Sequence, residues 1–404
     1  MQLVDRHVIR KTHPFWTEVD NLCFRSKNLF NLANYYVRQY FILENQYQNY
    51  TFMANYLKGH EAYKALPAKV SQQTLRRLDE SWRSFFAAMA EWRIHPDKFL
   101  GRPKLPKYKH KGKGRNVVTY TAQAVSTRWL AKGWINPSQT NLFIPALHDN
   151  VCQVRLVPRC DHYVVEVVYE KEEQDLGLNP NNIASIDLGI NNLAALTSNK
   201  PGFQPVLING RPLKSINQFY NKTKAHLQSR LSGNRKTSDK IRKLTSKRNY
   251  RVDHYLHSTS RLIINHLIAN DMGTLVIGRN ELWKNGINIG KRNNQQFVQI
   301  PHARFIHQLT YKAQMVGIRV LAQEESYTSK ASFLDGDPLP TYCKGQPSPH
   351  FSGRRICRGL YRTARGLLIN ADVNGSYNIL RKAFPHNGIE AVVVRPVRIT
   401  PNAG

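Results

Sequence analysis

Three short blocks place carboxylates where packing alone gives little reason for them. In Ile186-Asp187-Leu188-Gly189-Ile190 an aspartate interrupts an apolar strand pattern, and a buried carboxylate is costly unless it is paired or holds a cation. Gly189 removes bulk where a ligand or a backbone could come close. The second block is Asn370-Ala371-Asp372-Val373-Asn374-Gly375-Ser376-Tyr377-Asn378-Ile379, with Asp372 at a helix start. Capping is the plain alternative there, although Asn374 and Asn378 stand four apart on one helical face. In the third, the apolar run from Val320 ends in Glu324 and Glu325 before a polar turn, Ser326 to Lys330. The carboxyl edge of a strand is where open α/β sheets hold ligands. Three carboxylates meeting there would bind two divalent cations about 3.5–4 Å apart, the arrangement for in-line phosphodiester cleavage. Mg²⁺ suits such an all-oxygen set.

These residues lie far apart in the chain, so the fold has to assemble them. Leu3 to Ile9 reads as a strand, and residues 13–95 as helices. Leu22, Ser26, Leu29 and Leu32, then Leu75, Leu78, Trp82, Phe85, Met89 and Trp92, fall at helical spacing. Period-two patterns in 117–121, 141–145, 151–156 and 162–170 predict a small antiparallel sheet or barrel that takes in the N-terminal strand. From 183 the pattern becomes α/β: strands at 183–190, 193–198 and 203–209, a basic helical pair over about 212–270, strand 274–278, a helix near 303–316, strand 318–323 and a last helix from about 373 to 382. The fold class expected is α+β and multidomain, with helices packed on a mixed sheet.

The chain has 404 residues, 59 Lys and Arg against 27 Asp and Glu, and a formal charge of +32. With 41% hydrophobic and 10% aromatic residues it is too apolar for a disordered basic tail. No apolar run approaches the ~20 residues of a membrane span, and the first residues lack a signal-peptide core. Five cysteines without a CxxC pair fit a reducing cytosol; the location expected is cytoplasmic and associated with the bacterial nucleoid. An excess this large calls for a polyanion, and nucleic acid leads over a membrane surface. The charge gathers in three places. Between Gly101 and Arg115, prolines and glycines break regular structure while Lys104, Lys107, Lys109, Lys111, Lys113 and Arg115 line up around Tyr108, as suits a phosphate-tracking loop. The stretch 222–251 carries Lys236, Arg242, Lys247 and Arg248, and 354–365 carries Arg354 and Arg355. Asp253, His254 and His257 are a weak metal signal. The basic stretch 280–296, with Trp283, Lys284, Lys291 and Arg292, either tracks a strand or caps the sheet.

In this order, the three carboxylate blocks resemble the RuvC motifs of TnpB proteins, transposon-encoded relatives of type V CRISPR effectors and of Fanzor. Asp187 matches the first-motif aspartate, in Asp-x-Gly-x-x-x-x-Ala up to Ala194. Asp372 matches the third, in Asp-x-Asn-x-x-x-Asn-Ile up to Ile379. The resemblance implies a β-barrel wedge domain (1–12 and 96–178) holding a helical recognition lobe (13–95). An RNase H-like RuvC domain (179–330 and 366–404) would follow, with a degenerate zinc-ribbon-like insert at 331–365.

Two departures stand out. The family's middle glutamate ends the strand that here reads Thr274-Leu275-Val276-Ile277-Gly278, so a glycine takes its place. A subset of the family carries a displaced glutamate before a Thr-Ser-Lys turn, which Glu325 fits. Neighbouring strands lie about 4.7–4.9 Å apart, so a long side chain one strand over reaches the same point. Strand alternation lets one of Glu324 and Glu325 face inward; Glu325 is favoured, and Glu281 is a remote third. Of the family's zinc-ribbon cysteines only Cys343 and Cys357 stand nearby, too few for a four-ligand structural zinc.

The resemblance implies an RNA-guided DNA endonuclease, with a guide RNA from the transposon end, target double-stranded DNA beside a short flanking motif, and Mg²⁺ held by Asp187, Glu325 and Asp372. Base pairing would read the sequence, and the protein the backbone shape and the flanking motif. The alternative is a nuclease-inactive RNA-guided DNA-binding repressor, which Gly278 raises. A transposase that itself joins DNA is disfavoured, because no tyrosine or serine nucleophile motif is visible.

Overall fold

Gln2–Ile9 (β1) alternates exposed and half-buried residues, whereas the valine-rich Tyr163–Glu170 (β4) is buried up to its last residue, and the two pair antiparallel along their whole lengths, Gln2 opposite Glu170 and Ile9 opposite Tyr163. Val118–Thr121 (β2) and Val151–Pro158 (β3) complete a four-stranded antiparallel sheet in the order β1-β4-β3-β2. In this computed structural model the sheet belongs to the first of two units, Met1–Lys171 and Glu172–Gly404. The structure describes residues 1–280, 288, 290–343, 345–347, 349–385 and 393–401, with 291 and 292 described in their backbone alone. Glu281, Trp283 and Lys284 lie outside the described residues, as do the side chains of Lys291 and Arg292.

Within the first unit, Trp16–Glu44 (α1) and Ala68–Ile94 (α2) are the two long helices, joined through the short ones Tyr50–Leu57 and Glu61–Lys64. The stripe Leu75, Leu78, Trp82 is buried against Leu29, Ala33 and Val37 of α1. Trp82 donates its indole N–H to Asn34 Oδ1 at 3.0 Å, which satisfies the polar atom of a buried aromatic. The strand expected over 141–145 is just Ile144–Pro145.

The second unit is built on a six-stranded mixed sheet. Its strands are Ile183–Leu188 (β5), Asn192–Ser198 (β6), Val206–Asn209 (β7), Thr274–Gly278 (β8), Arg319–Gln323 (β9) and Val397–Ile399 (β13), in the order β9-β8-β5-β6-β7-β13. β5, β6 and β7 pair antiparallel; β8 joins β5, β9 joins β8 and β13 joins β7 in parallel. The strand at 203–209 is shorter than expected, because Phe203 closes a turn on the Lys200 carbonyl.

Both sheet faces are covered, so β5, β6 and β8 are buried throughout apart from Asp187. On one face Ala184, Ile186, Leu188, Leu275 and Ile277 pack against helices Asp239–Ala269 (α4) and His302–Gln314 (α5); helix Arg211–Ser229 (α3) precedes α4. On the other, Ile183, Ala195 and Val276 meet Val373, Tyr377 and Ile379 of helix Ala371–Ala383 (α6). Strict alternation therefore turns Ser185 and Asp187 of β5, and position 278 of β8, toward α6. The segment before α6 forms a three-stranded antiparallel sheet of Arg354–Cys357 (β10), Leu360–Arg362 (β11) and Leu368–Asn370 (β12).

Candidate active site and basic strap

Asp187 lies at the end of β5 under the first turn of α6, where Gly375 leaves it room. A Cβ on that glycine would stand 2.7 Å from Asp187 Oδ2. Asn370 caps α6, its side chain accepting from the backbone of Asp372 and Val373. The Asp372 carboxylate is thereby left for other partners: Asn192 Nδ2 donates to Oδ2 at 2.7 Å and Arg355 Nη2 to Oδ1 at 3.3 Å. Ser185, Thr197 and Ser376 exchange buried hydroxyl bonds beneath, fixing α6 to β5 and β6.

Glu325 arrives from the other side. Gly278 is level with Gln323, and Ile277 with Ile186, so the chain leaving β9 passes over the end of β8. Asn280 Oδ1 accepts from the Glu325 amide at 2.9 Å. A Cβ on Gly278 would overlap the Glu325 Oε1 atom: the glutamate carboxylate fills the place of the missing side chain. Glu324 turns elsewhere, to Lys382 Nζ at 2.6 Å and to the Ser326 amide at 2.7 Å. Strand alternation is not what separates the two glutamates, because β9 ends at Gln323 and both lie in the turn that follows. The asparagines of the second block hold that turn. Asn374 Nδ2 donates to the Ala331 carbonyl, and Asn378 Nδ2 to those of Thr328 and Ala331, at 2.8–2.9 Å.

The electrostatics follow from this enclosure. Burial, then the charges of Glu325 and Asp372, push the Asp187 carboxyl well above its ordinary range, against the pull of Arg355. Burial and the neighbouring Glu324 charge push Glu325 up to about 7. Glu325 Oε1 is buried with no hydrogen-bond partner, and a buried acceptor left unmatched is costly. A cation beside it would satisfy that oxygen and lower the repulsion on Asp187, so the donor set fits a hard divalent ion. Among the described residues, however, no three Asp, Glu, His or Cys side chains form a ready metal cluster; Asp372 is held to Asn192 and Arg355. Asp253 is paired with Arg304.

Cys343 and Cys357 are exposed. The insert is instead tied by Asp335, which accepts from Ser332 Oγ at 2.6 Å and the Ala364 amide at 2.8 Å, and by Asp337, which accepts from the Ser332 and Ser352 amides.

The basic residues divide by surroundings. The 101–115 segment is irregular yet fixed, its carbonyls bonded along α1: Pro106 to Asn34 and Arg38, Lys109 to Asn31, and Lys111 to Lys27. This strap leaves Lys104, Lys107, Lys111 and Lys113 exposed and Lys109 half-buried. Arg115 makes a bidentate pair with Asp20 at 2.8–2.9 Å. Lys236 and Lys247 are exposed and Arg242 pairs with Asp239, whereas Arg248 is half-buried and bonds Asn217 and the Gln299 carbonyl. Arg354 and Arg355 are exposed on β10.

Residues 166–284 match a family model described as "Probable transposase", and 302–379 one described as "Cas12f1-like, TNB domain". A TnpB-like protein, ORF457 of Acidianus two-tailed virus, is 24% identical over 408 residues, spanning 89% of this chain and 81% of the relative. Among solved structures, a Cas12f1–sgRNA–target DNA complex aligns with TM-score 0.53 at 15% identity, covering 90% of this chain and 83% of that one. The fold is therefore of the Cas12-effector type. In sequence the chain is similar to TnpB-like and Cas12f1-like proteins.

Proposed function

We propose that the protein is an RNA-guided DNA endonuclease that cuts target DNA beside a short flanking motif. In this reading the residues of Glu172–Gly404 around β5, β8 and α6 form a RuvC nuclease domain, with the insert at 331–365. The four-stranded sheet is its wedge domain, and the helices of 13–95 are the recognition lobe. The observation that carries it is the buried Glu325 carboxylate, one oxygen unpartnered, pressed against Gly278 and acting on Asp187.

Asp187, Glu325 and Asp372 would hold Mg²⁺. Bound there, the metal supplies activation of water and charge stabilisation at the leaving oxygen. The chain's own residues prepare that place. Asn192 fixes one oxygen of Asp372, and Asn280 sets the backbone of Glu325. Gly278 and Gly375 provide the room the carboxylates need. Arg355, exposed beside Asp372, is placed to meet a phosphate. Lys104, Lys107, Lys111, Lys113, Lys236 and Lys247 offer sequence-independent phosphate contacts, while base pairing with a guide RNA from the transposon end reads the target.

Two measurements test this. RNA copurifying with the protein is sequenced, and the purified ribonucleoprotein is assayed for Mg²⁺-dependent double-strand cleavage. Asp187→Ala is expected to keep the RNA and lose the cutting. A wild-type complex that binds target without cutting would mark the nuclease-inactive alternative, and full cleavage by Asp187→Ala would sink the site assignment.

A further inference from the structure

In the first unit a pocket of about 670 Å³ opens between α1, α2 and the 102–107 strap, within the roughly 300–1,000 Å³ of small-ligand sites. Its apolar wall is made by Phe41, Phe85 and Phe86, which pack edge-on or tilted at ring separations of 5.3–6.4 Å. The charged side chains lining it are all cations: Arg38, Arg93, Arg102, Lys104 and Lys107. A smaller cavity of about 370 Å³ adjoins it, sharing Phe85, Pro103, Lys104 and Lys107. The rim is built rather than loose. Arg38 donates to the Pro106 carbonyl at 3.1 Å and lies over Tyr108, and Arg102 lies over Trp92.

An apolar partner would bring nothing to match five cations. An unstacked nucleotide matches both halves of the pocket, since a base has an apolar face for aromatic rings and its neighbouring phosphates meet lysine and arginine. We infer that this pocket takes one unstacked nucleotide of a single-stranded nucleic acid, its base against Phe41, Phe85 and Phe86 and its phosphates on Lys104, Lys107 and Arg102. The inference shares with the proposed nuclease only the nucleic-acid partner and uses none of the carboxylates.

The test uses the full chain, stripped of copurifying RNA at high salt and kept in EDTA, so that no cleavage chemistry enters. Twelve-nucleotide single strands, one of RNA with a 5-iodouridine and one of DNA with a 5-iododeoxyuridine, are photocrosslinked and the joined peptides mapped by mass spectrometry. Crosslinks at Phe41, Phe85 or Phe86 are expected, and the arm that gives them identifies ribose or deoxyribose as the source. Crosslinks confined to other segments, in both arms, would overturn the inference. Lys104→Ala with Lys107→Ala, both exposed, is expected to weaken binding about tenfold and to lower the salt slope by roughly 1.4, about 0.7 per lost phosphate contact; an unchanged slope would also overturn it. A protein that fails to cut DNA yet crosslinks here leaves the pocket standing, and one that cuts without these crosslinks leaves only the nuclease reading.

Discussion

Glu325 and Gly278 are complementary: the carboxylate of one lies in the space that a side chain on the other would take. Gly278→Ala is therefore expected to displace Glu325 and to press on Ile379, whose Cδ1 stands 2.6 Å from the added carbon, with loss of cleavage. In a Glu325→Ala background only the contact with Ile379 remains, and Gly278→Glu is expected to recover part of the cleavage that Glu325→Ala alone lacks. Cleavage assays of the three variants check this.

Asn192 holds Asp372 Oδ2 at 2.7 Å, and a residue that orients a metal ligand is typically worth 10–100-fold in affinity or activity. Asn192→Ala is expected to lower cleavage by about that factor and to raise the Mg²⁺ concentration needed for half-maximal rate. An unchanged Mg²⁺ dependence would remove Asn192 from the site.

Gly375→Ala opposes two effects. In an exposed helix interior the change typically stabilises by about 1 kcal/mol, but here the added carbon crowds Asp187 Oδ2. Displacing a reacting group by about 1 Å can cost 10²-fold in rate. Cleavage is expected to fall by roughly that factor with no rise in melting temperature.

How much of this was legible in the sequence depends on the range of the interaction. Asp187 stood out because an acid in an apolar strand has few structural excuses, and Asn374 with Asn378 because two amides shared one helical face. Both amides are fully buried, holding the turn that carries Glu325. The roles of Asn280 and Gly375 were not legible, because each consists of space or a bond offered to a residue far along the chain. The 101–115 strap reads as a free basic loop for the same reason: the bonds that fix it come from α1. β13 escaped notice because three residues at a sheet edge carry too short a pattern.

Asp20 offers a test of the first unit. Bonds from Arg115, against burial and with help from Tyr163, hold its carboxyl below the usual range. A depressed folded pKa means stabilisation that is complete above the unfolded value near 3.9 and is lost as pH falls through the folded one. Asp20→Asn is expected to destabilise α1 by roughly 1.5–3 kcal/mol at pH 7, the worth of bonds to a charged group. The gap from wild type should close below about pH 4. Amide exchange of α1 in the full chain, followed across that range, measures it.

The most direct test compares the two adjacent glutamates in Mg²⁺-dependent cleavage by the guide-loaded protein. Glu325→Gln, which keeps size and removes charge, is expected to lose more than about 10²-fold, beyond what a supporting residue is worth, whereas Glu324→Gln should cut within a few-fold of wild type. Full cleavage by Glu325→Gln, or loss confined to Glu324→Gln, would contradict the account.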